Sequence, residues 1–171
     1  MADQTHTDMP RYRQPTGIPG LDEMMGGGIP EGSTTMVVGP TGSGKRLITL
    51  HWLIQGARAG QPGVLLSYDS PPQSILRHTS QFGWDLAGLI EQGLLRIAHI
   101  SPIEVGLEGD LERLSGLVVQ HQVRRTVVDS ISSLEIGMRD RTAYTDYLWG
   151  LTDWFKLNCA GDRTTSPGVR W

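Results

Sequence analysis

The stretch that decides the fold is GPTGSGKR, residues 39–46. It fits the phosphate-loop pattern G-x-x-x-x-G-K-[ST] at every position but the last, where Arg46 stands in place of Ser or Thr. Just before it, Thr34-Thr35-Met36-Val37-Val38 reads as a short buried strand. Just after it, Leu47, Ile48, Leu50, Leu53 and Ile54 recur at helical spacing until Gly60 and Pro62. A glycine-rich turn between a strand and a helix is a phosphate cradle. Gly39, Gly42 and Gly44 let the backbone curl, with Pro40, Thr41 and Ser43 between them. The N–H groups of Thr41 to Lys45 would face the β-phosphate, and the helix start adds partial positive charge. Lys45 would bridge the β- and γ-phosphates. Gly39 to Arg46 is therefore the expected nucleotide-binding segment.

Further along, strands and helices alternate. Val64–Tyr68 reads as a strand, 73–81 and 84–92 as helices, Leu94–Ile100 as a strand and Leu107–Gln122 as a helix. Thr126–Asp129 reads as another strand, and Arg141–Leu157 as a helix with Tyr144, Leu148, Leu151 and Phe155 on one stripe. Near-continuous apolar strands alternating with helices predict a parallel sheet covered on both faces, an α/β fold. Asp129, ending its strand opposite a phosphate loop, fits a Walker B carboxylate that grips Mg²⁺ directly or through water. Thirteen residues of loose arm (1–13) precede a Gly- and Pro-dense leader, PTGIPGLDEMMGGGIPEGS (15–33).

Composition narrows the field further. Apolar residues are 38% and charged residues 19%, as in ordinary globular chains. A net charge of −3 gives no basic footprint for nucleic acid. Arg124-Arg125 reads as the solvated lip of a strand. Cys159 is the only cysteine, so a reducing, cytoplasmic setting is expected, and no run is long enough to span a membrane. The histidines lack metal-ligand spacing, and Trp52, Trp84, Trp149 and Trp154 are expected in core packing.

Taken together, PTGIPGLDEMMGGGIPEG, GPTGSGK, GARAGQPGVLLSYDSPPQSI, FGWDL and TVVDSISSLE resemble the KaiC-like branch of RecA-type ATPases, from about Thr16 to Phe155. The resemblance implies a RecA-type P-loop NTPase, a three-layer α/β/α domain over residues 14–157 with a mainly parallel sheet. It implies binding of ATP with Mg²⁺ between subunits of a homo-oligomeric ring, usually a hexamer, slow hydrolysis, and in some members phosphate transfer to their own Ser or Thr. By analogy with the family, Ser130, Ser132 and Ser133 are candidates for such acceptors, though caps of the next segment are the plainer reading.

Three departures bear on function. A guanidinium cannot ligate Mg²⁺, because it has donors only and a fixed charge. Arg46 would then either touch phosphate in partial place of the ion or point to solvent, and a weaker Mg²⁺ dependence is expected. Where the family tends to carry two adjacent glutamates, one preparing the attacking water, this chain has Asp69 and Ser70, which is either a weak base or a plain turn. Beyond Phe155 the sequence LNCAGDRTTSPGVRW holds no apolar run that could form a buried strand. Residues 158–171 are therefore expected to be an aberrant or disordered tail, from truncation, a frame shift or a natural short paralogue. The family places a strand from this region between the loop-bearing strand and the Asp129 strand, so the sheet is expected to be incomplete at its C-terminal end. The leading expectation is an ATP-binding, regulatory or signalling domain with weak or absent hydrolysis. The alternative is an active ATPase or autokinase, and behind it a DNA-binding recombinase, which the acidic charge opposes.

Overall fold

The computed structural model describes residues 12–101, 106–138 and 140–159. Its elements run β1 (Arg13–Gln14), α1 (Leu21–Met24), β2 (Ile29–Pro30), α2 (Lys45–Arg58), β3 (Gly63–Ser67), α3 (Pro72–Ser80) and α4 (Leu86–Glu91). There follow β4 (Leu95–His99), α5 (Leu107–Gln120), β5 (Arg125–Asp129), α6 (Ile131–Gly137) and α7 (Arg141–Cys159). A three-stranded sheet in the order β4-β3-β5 is parallel throughout, with Ser67 level with His99 on one side and Asp129 on the other. Apart from the strand expected at 34–38, the expected elements recur with ends shifted by a residue or two. Helix α6 is an addition, and so is the small β1–β2 ladder, which pairs Arg13, at the end of the segment expected as a loose arm, and Gln14 with the leader.

Successive strand residues point to opposite faces, so β3 feeds two cores. Leu65, with Val127 and Leu95, meets Leu50, Leu53 and Ile54 of α2, Ile75 of α3 and Leu86 of α4. Leu66 and Tyr68, on the other face, meet Leu114 of α5, Leu134 of α6, and Tyr147 and Leu151 of α7. The result is the three-layer α/β/α arrangement. The stripe expected on α7 is real: Tyr144, Leu148 and Phe155 pack against this second core beside Leu151. Trp149 departs from the expectation of core packing, being 63% exposed on the opposite side of that helix.

Two buried polar knots tie the layers together, and neither was legible in advance. The hydroxyls of Tyr68 and Tyr147 lie 2.6 Å apart, and both donate to Asp110, at 3.3 and 2.8 Å, linking β3, α7 and α5. Burial pushes both hydroxyls well above the ordinary tyrosine range. The second knot corrects the reading of Arg125 as a solvated residue, since it is only 2% exposed. Its guanidinium sits 5.0 Å from the centre of the Trp52 ring and donates to the Trp52 carbonyl, the Pro15 carbonyl and Gln61. A Cβ at position 56 would stand 2.4 Å from Arg125 Cδ, so Gly56 is what lets the arginine lie against α2. Together with His51, whose ring nitrogen meets the Thr16 carbonyl at 3.1 Å, Arg125 pins the leader onto α2. Arg125→Met should destabilise the chain by about 2 kcal/mol, because the partly buried carbonyls of Trp52 and Pro15 lose a charged donor. Urea unfolding of the two proteins measures this, and equal midpoints and slopes would contradict it.

The largest correction concerns residues 34–38. Expected as a buried strand, they form none: Met36 is 67% and Val38 82% exposed. The reason is the missing neighbour. A cavity of about 380 Å³ separates this segment from β5, and both line it. Among the described residues no strand lies in between, so the backbone of 34–38 has no ladder partner and β5 keeps an open edge. Strand propensity without a partner within hydrogen-bonding reach does not make a strand. Of the segment read as a tail, residues 160–171 lie outside the described residues, as does the arm up to residue 11.

Candidate functional site

At the C-terminal edge of the sheet, three elements converge. Helix α2 opens at Lys45 directly after the loop, with Gly44 at its N-cap and no side chain capping it. Gly42 and Gly44 take φ values of +82° and +84°, which side-chain-bearing residues rarely adopt, so the glycines are needed to turn the chain into the helix. The first N–H groups of α2 thus remain open at the positive end of a helix of 14 residues. Lys45 Nζ folds back over the loop and donates to the carbonyls of Gly39 and Pro40, 2.8 Å each.

Because β3 and β5 are parallel and in register at Ser67 and Asp129, residues just past β3 stand beside the end of β5. That brings Asp69 and Ser70 next to Asp129, and Arg46, one residue into α2, lies among all three. Its Nε donates to an oxygen of Asp129. Its Nη2 reaches both Asp69 oxygens, at 2.5 and 2.6 Å, and its Nη1 donates to Ser70 Oγ at 3.1 Å. Ser67 Oγ adds a donor to Asp69 at 3.2 Å. Neither sequence-level reading of Arg46 anticipated this: it points neither to solvent nor into the loop, but clamps two carboxylates. The signal was present, in that two aspartates follow adjacent parallel strands, but strand order is not written in one sequence.

Electrostatics follow from the clamp. Burial alone would raise the Asp69 carboxyl, but the hydrogen bonds and charge of Arg46, with help from Ser70 and Ser67, outweigh it and hold the group below its ordinary 3.8. Burial would lower Arg46, and the two aspartates more than reverse that. A depressed carboxylate contributes stability above its unfolded pKa and loses it as pH falls through its folded value. The stability difference between wild type and Asp69→Asn should therefore be constant above about pH 5 and shrink in acid below the ordinary value. Denaturant titrations at several pH values measure it, and a difference independent of pH down to strong acid would contradict the clamp.

Chemically, the site offers an uncapped helix start, an ammonium over a glycine loop, and two carboxylates bridged by a single guanidinium. An anion can meet the first two. A divalent cation finds a poor welcome, since position 46 supplies no oxygen and both Asp69 oxygens and one of Asp129 already accept from Arg46. Among the described residues, no group of three or more His, Cys, Asp or Glu side chains could hold a metal ion. Ser130, Ser132 and Ser133 lie at the start of α6: Ser130 occupies the N-cap position and its hydroxyl meets that of Ser133 at 3.1 Å. Two further groups escaped sequence reading. Trp52 Nε1 and Thr126 Oγ1 are buried without a hydrogen-bond partner, and both residues line the cavity between β5 and residues 34–39.

Comparison with known proteins gives the arrangement its family. The family profile described as "ATPase: KaiC" matches residues 14–160. The circadian clock oscillator protein KaiC of Prochlorococcus marinus (strain MIT 9313) is 34% identical over 129 residues, 70% of this chain and 26% of that protein. That of Thermostichus vulcanus is 35% identical over 129 residues, covering 70% and 25%. The circadian clock protein KaiC2 of Synechocystis sp. (strain ATCC 27184 / PCC 6803 / Kazusa) is 34% identical over 151 residues, covering 83% and 27%. The chain spans about a quarter of the length of these curated relatives. With the profile covering most of its length and a parallel α/β/α core beneath a phosphate-type loop, the chain belongs to the KaiC family of RecA-type ATPase domains.

Proposed function

We propose that residues 14–157 form a domain that binds ATP on the Gly39–Arg46 loop, hydrolyses it weakly or not at all, and serves as a regulatory or signalling component. One observation carries this reading. Arg46 engages Asp69 and Asp129 together, while Lys45 and the uncapped start of α2 remain beside the loop. Binding needs mainly backbone N–H groups and Lys45, whereas hydrolysis needs a free base or an oriented metal as well. With Arg46 supplying positive charge, dependence on Mg²⁺ is weaker than in a loop ending in Ser or Thr. By analogy with the family, the domain assembles with copies of itself in a ring and works in the cytoplasm; no described helix is long and apolar enough to cross a membrane. The active-ATPase or autokinase alternative needs Asp69 as a base, and the bonds of Arg46 to both its oxygens count against that. Titration with a fluorescent ATP analogue, alongside a phosphate-release assay, tests the reading. Saturable binding without turnover is expected, and absence of binding would refute it.

A further inference from the structure

We propose that Arg46 excludes a divalent cation from this site, so that the ligand taken is the nucleoside triphosphate free of metal. The family implies Mg²⁺ beside the loop, and the residues here do not fit it. A magnesium ion asks for near-octahedral oxygen ligands with free lone pairs. At position 46 this chain offers a guanidinium, with donors only and a charge that cannot be removed by deprotonation.

The guanidinium does more than fail to ligate. Its three nitrogens are spread over Asp129, Asp69 and Ser70, the oxygens that an ion at the ends of β3 and β5 would use. The Arg46 and Asp129 side chains are 27% and 13% exposed, so solvent screens this pair only partly. A cation entering would have to break a fork of charge-assisted hydrogen bonds and then sit beside a fixed positive charge. Arg46 is thus a resident cation in place of an exchangeable one, and it ties α2 to the ends of both strands without a metal. A triphosphate arriving without its metal meets Lys45 and the helix start. Arriving with its metal, it brings a second cation into a place already held.

Exclusion of the cation stands on the clamp alone. The choice of metal-free nucleotide rests on the ATP-binding reading above, and two measurements separate them. In the first, nucleotide-free protein is titrated with Mn²⁺ and free ion is followed by electron paramagnetic resonance. Arg46→Thr, which frees the carboxylates and adds a hydroxyl, should bind Mn²⁺ about tenfold or more tightly than wild type. Asp129→Asn in the Arg46→Thr background should abolish the gain. Arg46→Lys, which keeps the charge, should resemble wild type and guards against a folding defect, with far-ultraviolet circular dichroism recorded for each. Wild type binding Mn²⁺ as tightly as Arg46→Thr would overturn the exclusion. In the second, ATP affinity is measured by calorimetry in EDTA and in excess Mg²⁺. Wild type should bind ATP several-fold or more tightly in EDTA than in excess Mg²⁺, which ties up the free nucleotide, whereas Arg46→Thr should gain about tenfold from Mg²⁺. A wild type that binds ATP as tightly with Mg²⁺ as in EDTA, or more tightly, would overturn the proposal. A wild type that binds ATP in neither buffer would refute the nucleotide reading, with the Mn²⁺ titration still deciding the exclusion.

Discussion

Incubated with saturating ATP and Mg²⁺, the folded protein should release phosphate no faster than its Lys45→Ala variant. Phosphoryl transfer depends on charge neutralisation at the phosphates, a water held in line, and a rigid frame holding both. The water has no evident base. Asp69 is the only carboxylate just past β3, and both of its oxygens accept from Arg46, which holds it below its ordinary pKa and makes it a weaker proton acceptor still. The metal position is spoken for by the same side chain, through Asp129. The frame is open as well, because residues 34–38, which lead into the loop, have no strand between them and β5 among the described residues. Loss of a single positioning or charge-stabilising group commonly slows an enzyme by about 10²–10³. Three such losses together put turnover below the blank. A rate clearly above that of Lys45→Ala would show that Asp69 escapes the clamp when nucleotide is bound.

Lys45→Ala should weaken ATP binding by roughly ten- to a hundredfold, the size of one lost charge-assisted hydrogen bond to a terminal phosphate. In the structure the ammonium rests on the carbonyls of Gly39 and Pro40, partners that an incoming phosphate can replace without leaving a buried group unpaired. Arg46 cannot compensate while it holds two aspartates. An affinity unchanged by the substitution would move the nucleotide off this loop. A circular dichroism spectrum shared by both proteins would guard the comparison, since Lys45 takes no part in either core.

Much of the architecture was legible because β3 is a nearly continuous apolar run and α2, α5 and α7 carry helical periodicity. Those patterns are local, and the side chains that make them face cores on the sheet's two sides. What local pattern could not supply was partnership. Thr34 to Val38 has the composition of a strand, yet strand formation needs a neighbour at hydrogen-bonding distance. Arg125 looked solvated because its acceptors, the carbonyls of Pro15 and Trp52, are 110 and 73 residues away in the chain. The site divides along the same line. The loop, Lys45 and the positions of Asp69 and Asp129 follow from a motif and from strand ends. The bridge that Arg46 makes between them follows from β3 and β5 being neighbours, which only the folded sheet specifies.

The most direct test of the central claim, a site that holds ATP without consuming it, is the chemical identity of the nucleotide it retains. Protein would be incubated for hours with ATP and Mg²⁺, freed of unbound nucleotide by rapid gel filtration, denatured, and its nucleotide content resolved by anion-exchange chromatography. Intact ATP recovered from the wild type, with little or none recovered from Lys45→Ala, is the predicted result; recovery of ADP with matching free phosphate, or of no nucleotide at all, would contradict it.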